Sequence, residues 1–334
     1  VPAAALQYGP SEGEPVLREA IAARARCLGI DCDTSQVLVV SGSQQGIDLV
    51  AKLFIDPGTP VITESPTYLA ALQVFELFGA ACHGMPLGPG GTDPDRLRKL
   101  ARLTGAKLAY LIPTFQNPSG TCYSAETRIA IAQAAEESDV VIFEDDPYRE
   151  LAYEDVDRTP ICAHIRGGSW IYQGSFSKSF IPGVRVGYLI ASPDLMPHLV
   201  RLKQAADLHT NRIGQHLAAG QLNSPDLDAH LARLRATYTA KRDAMQQALE
   251  AHFSDLAEWQ LPPGGLFFWL KMRERVDMRE LLPEMLERGV AFMPGEVFFP
   301  SGSGEVGYAR LNFSHATAAE MERGISVLAA AMQS

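Results

Sequence analysis

Along the first 190 positions, short runs of β-branched and aliphatic residues alternate with longer stretches whose apolar residues recur every three or four places. The first kind fits buried strands and the second fits amphipathic helices. Strands are predicted at 37–40, 61–64, 108–112, 140–143, 170–172 and 186–191. Helices are predicted around Val16, Leu17, Ala20 and Ile21, and then over 47–54, 69–78, 95–103 and 126–137. Alternation of this kind, with short connections, predicts an α/β domain with a mostly parallel sheet covered by helices on both faces. Beyond Leu195 the pattern is helical, with a long helix over 227–252. Pro262-Pro263-Gly264-Gly265 breaks the chain, and strands at 266–270, 290–293 and 308–313 follow, with helices over 278–288 and 318–332. This tail reads as a smaller α+β domain.

The ends of the predicted strands carry polar residues. After the first comes Ser41-Gly42-Ser43-Gln44-Gln45-Gly46 leading into a helix, an arrangement that suits either phosphate binding or an ordinary N-cap. Ser65-Pro66-Thr67-Tyr68 follows the second. Gln116-Asn117-Pro118-Ser119-Gly120 follows the third, where Asn117 fits a turn as well as a ligand contact. Glu144-Asp145-Asp146-Pro147-Tyr148 ends the fourth, and three acids there require at least one fixed cation. The fifth leads to Ser175-Phe176-Ser177-Lys178, with Arg185 seven positions beyond the lysine. A desolvated lysine near another cation has a lowered pKa and becomes a nucleophile. Taken alone, Lys178 fits that role no better than it fits an ordinary surface lysine. Arg310, in an otherwise apolar strand, suits a salt bridge or a carboxylate clamp equally. Because the C-terminal edge of an open α/β sheet is where ligands bind, the convergence of these sets implies one binding site.

Composition narrows the class. With 334 residues, 46% of them hydrophobic, the chain can bury a large core and form two domains. A net charge of −10 with no long basic run argues against nucleic acid or membrane binding through this chain. No apolar run approaches the roughly 20 residues that span a bilayer. The five scattered cysteines lack metal-site spacing and fit a reduced, cytoplasmic protein. The opening Val1-Pro2-Ala3, without an initiator methionine or signal pattern, reads as the start of a fragment.

The ordered set Leu6-Gln7-Tyr8-Gly9, Gly42-Ser43-Gln44-Gln45, Pro66-Thr67-Tyr68, Asn117-Pro118, Asp145-Asp146-Pro147-Tyr148-Arg149, Ser175-Phe176-Ser177-Lys178, Gly183-Val184-Arg185, Pro263-Gly264-Gly265 and Arg310-Leu311-Asn312-Phe313 resembles a family over essentially the whole chain. The family is that of fold-type I pyridoxal-5′-phosphate (PLP) enzymes of the class I/II aminotransferase group, in its 2-aminoadipate/aromatic branch. The resemblance implies a large PLP-binding domain over 32–225, with a seven-stranded, mostly parallel sheet. It implies a small domain formed by 1–31 and 226–334. Lys178 would bind PLP as a Schiff base and act as general base and acid. Asp145 would pair with the pyridine nitrogen, Asn117 and Tyr148 would bond the 3′-oxygen, and Tyr68 would stack on the ring. Ser43, Gln44, Ser175, Ser177 and Arg185 would hold the phosphate. Tyr8 would reach the cofactor of a second subunit, which implies a homodimer with shared active sites. Arg310, with Asn117, would bind the substrate carboxylate. The implied reaction moves an amino group from an L-amino acid (2-aminoadipate, aromatic or branched/aliphatic) to a 2-oxo acid such as 2-oxoglutarate by a ping-pong path. The family's N-terminal cover over the active site has no counterpart in this sequence, so the side chain selected stays open. The PLP-binding effector domain of MocR/GntR-type regulators is similar too, and is the alternative that the resemblance implies.

Overall fold

The computed structural model describes residues 3–303 and 305–333; the fragment reading of Val1-Pro2 falls outside them. Helix α1 (Pro15–Cys27) precedes the first strand, β1 (Val37–Val40). There follow α2 (Ser43–Phe54), β2 (Pro60–Ser65), α3 (Leu69–Leu77), β3 (Ala81–Gly88), β4 (Gly91–Thr92), α4 (Pro94–Thr104) and β5 (Leu108–Leu111). Then come α5 (Ala125–Ser138), β6 (Val141–Asp145), β7 (Trp170–Ser175), β8 (Gly187–Ala191), α6 (Met196–Asp207), α7 (Arg212–Leu222) and the long α8 (Leu227–His252). The C-terminal part holds β9 (Ala257–Glu258), β10 (Phe267–Met272), α9 (Met278–Glu287), β11 (Met293–Pro294), β12 (Tyr308–Asn312) and α10 (Ala318–Met332).

The large sheet runs β1-β8-β7-β6-β5-β2-β3-β4. Strands β7, β6, β5, β2 and β3 are mutually parallel, while β8 lies antiparallel between β1 and β7. Seven strands make the expected mostly parallel sheet, and the two-residue β4 extends it as an edge hairpin with β3. Alternation along each central strand sends successive side chains into different layers. Val37, Val39, Ala109, Leu111 and Ile142 join one buried cluster, and Leu38, Val40, Leu108, Tyr110 and Phe143 join the other. Strand β3 escaped the sequence pattern because it lies near the sheet's edge. Only Met85 along it is fully buried, and Pro86 is tolerated there.

The second sheet, β11-β12-β10-β9, is antiparallel throughout and has its own core, with α8 and α10 packed together beside it. The strand predicted at 290–293 is shorter and later, as β11. One expectation changes more. The resemblance implies that residues 1–31 belong to the small domain, but α1 buries Leu17, Ile21, Ala22 and Ala25 in the same cluster as β1. Glu14 explains this. Its backbone N–H donates to Gln215 of α7 at 2.6 Å, and its carboxylate pairs with Arg212. Among the described residues no helix is long and apolar enough to cross a membrane.

Candidate active site

The parallel strands all end on one edge, and a cavity of about 340 Å³ opens there. Ser43, Gln44, Tyr68, Asn117, Asp145, Tyr148, Ser175, Ser177, Lys178 and Arg185 line it. Ten of the twelve residues singled out from the sequence thus share one cavity. Arg310 adjoins it, and Tyr8 does not enter it: its ring is 80% exposed and meets His209 edge-on at 5.8 Å.

One end of the cavity is built for an anion. Helix α2 begins at Ser43, directly after Gly42, whose φ of 82° suits glycine. A Cβ on Gly42 would lie 2.3 Å from Nη2 of Arg185, so the guanidinium seats against a bare Cα. Arg185 itself adopts a left-handed backbone (φ 52°), and its Nη1 donates to Ser177 Oγ at 3.4 Å. The N-terminus of α2, the Arg185 guanidinium and the hydroxyls of Ser43, Ser175 and Ser177 give the cavity donors suited to a phosphate.

Lys178 lies on the loop after β7. Its pKa is lowered, first by burial and then by the charges of Arg185 and Arg310. Its Nζ lies 6.0 Å from the centre of the Tyr148 ring. Asp145 ends β6, 3% exposed. Its Oδ2 accepts from Tyr110 Oη at 2.7 Å, whereas Oδ1 has no hydrogen-bond partner. Burial pushes the carboxyl up to about 6, against the opposing pull of Gln173 and Tyr110. Both polar atoms of the Gln173 amide are likewise buried without a hydrogen-bond partner. A buried carboxylate oxygen lacking a donor is costly unless a ligand supplies one. A protonated ring nitrogen fits it.

The other acids of this strand end are resolved separately. Asp146 is the one that finds a fixed cation, Arg149 at 2.5 Å, and it also accepts from Tyr172 Oη at 2.9 Å. Glu144 accepts from the backbone N–H of Cys162 at 3.0 Å. Among the described residues no cluster of three potential metal ligands occurs.

Of the two roles that suited Arg310, the salt bridge is not formed among the described residues. Its guanidinium lies between Phe267 (4.2 Å) and Phe298 (4.9 Å), and Nη1 donates to Asn117 Oδ1 at 2.9 Å. Its Nε has no partner. Burial lowers its pKa. Neutral and aromatic supports leave the guanidinium's charge for an incoming anion. Asn117 in turn donates to Tyr148 Oη at 3.4 Å. It follows Phe115, whose left-handed backbone (φ 54°) turns the chain into the cis Asn117-Pro118 bond. The Pro-Gly-Gly break serves this turn: a Cβ on Gly264 would lie 2.4 Å from the Phe115 ring.

Tyr110, Gln173, Phe267 and Phe298 were not singled out from the sequence. Tyr110 carried a usable signal, because a hydroxyl inside an otherwise apolar strand must find a partner. The two phenylalanines carried none, since only the pairing of β10 with β12 and the course of the 295–298 turn bring them against Arg310.

A doubly covered mixed sheet, donors suited to a phosphate, a desolvated lysine and an acceptor carboxylate at one strand edge define a fold-type I PLP enzyme site. The chain belongs to the class I and II aminotransferases, whose family model matches residues 3–328. It is similar to aromatic-amino-acid aminotransferase 1 of Thermococcus litoralis, with 38% identity over 98% of this chain and 80% of the relative. Among solved structures it is similar to Pyrococcus horikoshii kynurenine aminotransferase bound to PMP and kynurenine. The TM-score is 0.93 at 35% identity, over 98% of this chain and 82% of that one. It is similar also to the α-aminoadipate aminotransferase LysN of Thermus thermophilus, complexed with N-(5′-phosphopyridoxyl)-L-leucine. There the TM-score is 0.91 at 36% identity, over 98% and 84%. The HTH-type transcriptional regulator YisV of Bacillus subtilis matches at 30% identity over 97% of this chain, which spans 66% of that protein.

Proposed function

We propose that this chain moves the amino group of an L-amino acid to a 2-oxo acid with PLP bound in the strand-edge cavity. The observation that carries this is the pairing of two groups in one cavity: Lys178, its amine pKa depressed, and Asp145, with one buried oxygen lacking a donor. When bound, PLP supplies an aldehyde that exchanges amino groups and a protonated ring that accepts the electron pair left at the substrate Cα. Asp145 holds the proton on the ring nitrogen. Asn117 and Tyr148 would donate to the ring's 3′-oxygen, and Tyr68 would cover the ring face. Ser43, Gln44, Ser175, Ser177 and Arg185 grip the phosphate. Lys178 would anchor the cofactor, and its amine would serve as the base and acid that moves the substrate Cα proton. Arg310, steadied by Asn117, clamps the substrate carboxylate. One product leaves before the second substrate enters, so the kinetics are ping-pong.

The names of the relatives support a 2-aminoadipate or aromatic donor, and the leucine adduct held by LysN supports a branched aliphatic one, while 2-oxoglutarate is the acceptor that we propose. Exposure of Leu6 and Tyr8 supports a homodimer in which Tyr8 reaches the partner's cofactor. The net charge of −10 supports the absence of nucleic-acid binding through this chain, and the unpaired cysteines support a reducing, cytoplasmic setting. Similarity to YisV favours a second reading, as a PLP-binding effector domain. Borohydride reduction of the cofactor-loaded protein, peptide mapping and a steady-state assay test both. A reduced adduct on Lys178 with many turnovers supports the enzyme. An adduct with no turnover for any amino-acid and 2-oxo-acid pair supports the regulator, and an adduct on another lysine refutes the site.

A further inference from the structure

Glu64, next to last in β2, is wholly buried, yet no mechanistic role falls to it. Its four hydrogen-bond partners are neutral donors. Oε1 accepts from the Ile112 backbone N–H at 3.1 Å and from Tyr123 Oη at 2.8 Å. Oε2 accepts from Gln116 Nε2 at 2.9 Å and, more weakly, from Thr67 Oγ1 at 3.5 Å. Among the described residues no cation pairs with it, and burial pushes its pKa up to about 7. A buried acid is expensive to keep, and a well-packed apolar residue would serve stability as well. Its contacts suggest what it does.

Gln116 and Thr67 begin two loops that meet at the cavity. Gln116 Nε2 also donates to the Pro66 carbonyl at 2.9 Å, so one amide ties both loops to Glu64. Gln116 Oε1 accepts from the Ser119 N–H and hydroxyl at 2.9 and 2.7 Å, which fixes the orientation of that amide. Asn117, the next residue, accepts from Arg310. On the other side, the Thr67 N–H donates to the Phe298 carbonyl at 2.8 Å, and the Phe298 ring supports the Arg310 guanidinium. The contacts close a ring: Glu64, Gln116, Asn117, Arg310, Phe298, Thr67 and back to Glu64.

We propose that Glu64 is a positioning residue for the carboxylate clamp, holding the Gln116 and Thr67 loops in the register that fixes Arg310 between Asn117 and Phe298. This rests on the reading of Arg310 as the clamp. The isosteric Glu64→Gln is a sharp probe of it. The hydroxyls of Tyr123 and Thr67 can turn to accept, but the Ile112 and Gln116 N–H groups cannot. Whichever way the new amide lies, its NH₂ faces one of those two. The backbone of Ile112 is fixed in the fold, so Gln116 gives way and loosens Asn117. Gln116→Met tests the same relay while leaving Glu64 its Ile112 and Tyr123 donors.

The experiment uses cofactor-loaded enzyme and the unreactive carboxylate 3-phenylpropanoate, titrated by the change in cofactor absorption. Thermal unfolding and the pH midpoint of the cofactor–lysine absorption are recorded alongside. Glu64→Gln and Gln116→Met should each weaken carboxylate binding about tenfold, as small misplacements of a binding group do. KM for the amino donor should rise in parallel and kcat should fall less. The absorption midpoint should move, because Asn117 also contacts Tyr148. A variant that keeps its cofactor and binds within about twofold of wild type overturns the proposal, whatever its melting temperature. Arg310→Lys is the control. If it binds 3-phenylpropanoate as well as wild type does, the clamp reading falls and the proposal with it. If it binds weakly while the Glu64 and Gln116 variants bind normally, the positioning role alone is refuted.

Discussion

Asp145→Asn should make the cofactor-free protein more stable at neutral pH while weakening its hold on the cofactor. The carboxyl is raised from an ordinary 3.8 to about 6, mainly because it is buried, with a single Tyr110 hydrogen bond at 2.7 Å. An acid raised in this way keeps its proton longer in the folded than in the unfolded chain. Its cost is therefore absent below about pH 4 and fully present above about pH 6, so stability falls as pH rises through that window. A displacement of about two pH units corresponds to at most about 3 kcal/mol at pH 7. Asparagine keeps the shape and does not titrate. Urea unfolding of cofactor-free wild type and variant, at pH 4 and pH 7, measures the effect. The two should be nearly equal at pH 4, and the variant should be ahead by 1 to about 3 kcal/mol at pH 7. Added PLP should reverse the order, because a cation opposite the ionised carboxylate is worth about 4 kcal/mol at 4 Å in a medium of effective dielectric near 20. A variant no more stable than wild type at pH 7, or one that gains as much from PLP, would refute the idea that Asp145 is held at a cost for a cationic ring.

Other outcomes follow from the same geometry. Lys178→Ala should leave no borohydride-reducible cofactor adduct, read by mass spectrometry of the intact chain. Arg185→Leu should weaken PLP binding about tenfold or more through lost charge-assisted contacts to phosphate, with the fold unchanged by circular dichroism. Gly264→Ala should destabilise the protein by about 1–3 kcal/mol in urea, because the new Cβ would sit 2.4 Å from the buried Phe115 ring.

Much of this site was legible as strand ends. Ser43, Asn117, Asp145 and Lys178 each follow a short apolar run, and a parallel sheet necessarily gathers such positions at one edge. What stayed hidden depends on contacts between distant segments. Glu64 looked like the polar end of a strand, and only the fold brings Ile112, Gln116 and Tyr123 around it. Arg310 suited a salt bridge and a carboxylate clamp equally in the sequence, and only the fold brings the Phe267 and Phe298 rings against its guanidinium. Helix α1 carried a clear apolar stripe, but its address was written in Glu14 meeting Arg212 and Gln215, some 200 positions away. Strand β3 escapes for a local reason: a strand near the sheet's edge with one fully buried residue has no pattern to read.

The proposed transamination requires that the cofactor held on Lys178 exchange amino groups with an L-amino acid. A single-turnover titration of the PLP-loaded protein tests it most directly, with 2-aminoadipate, kynurenine, phenylalanine, tyrosine, leucine and glutamate each added without an acceptor. For at least one of them the absorption of the lysine-bound cofactor should disappear with formation of one 2-oxo acid per active site, and 2-oxoglutarate should restore it. Absorption that stays unchanged with every amino acid, with no 2-oxo acid formed, would contradict the claim.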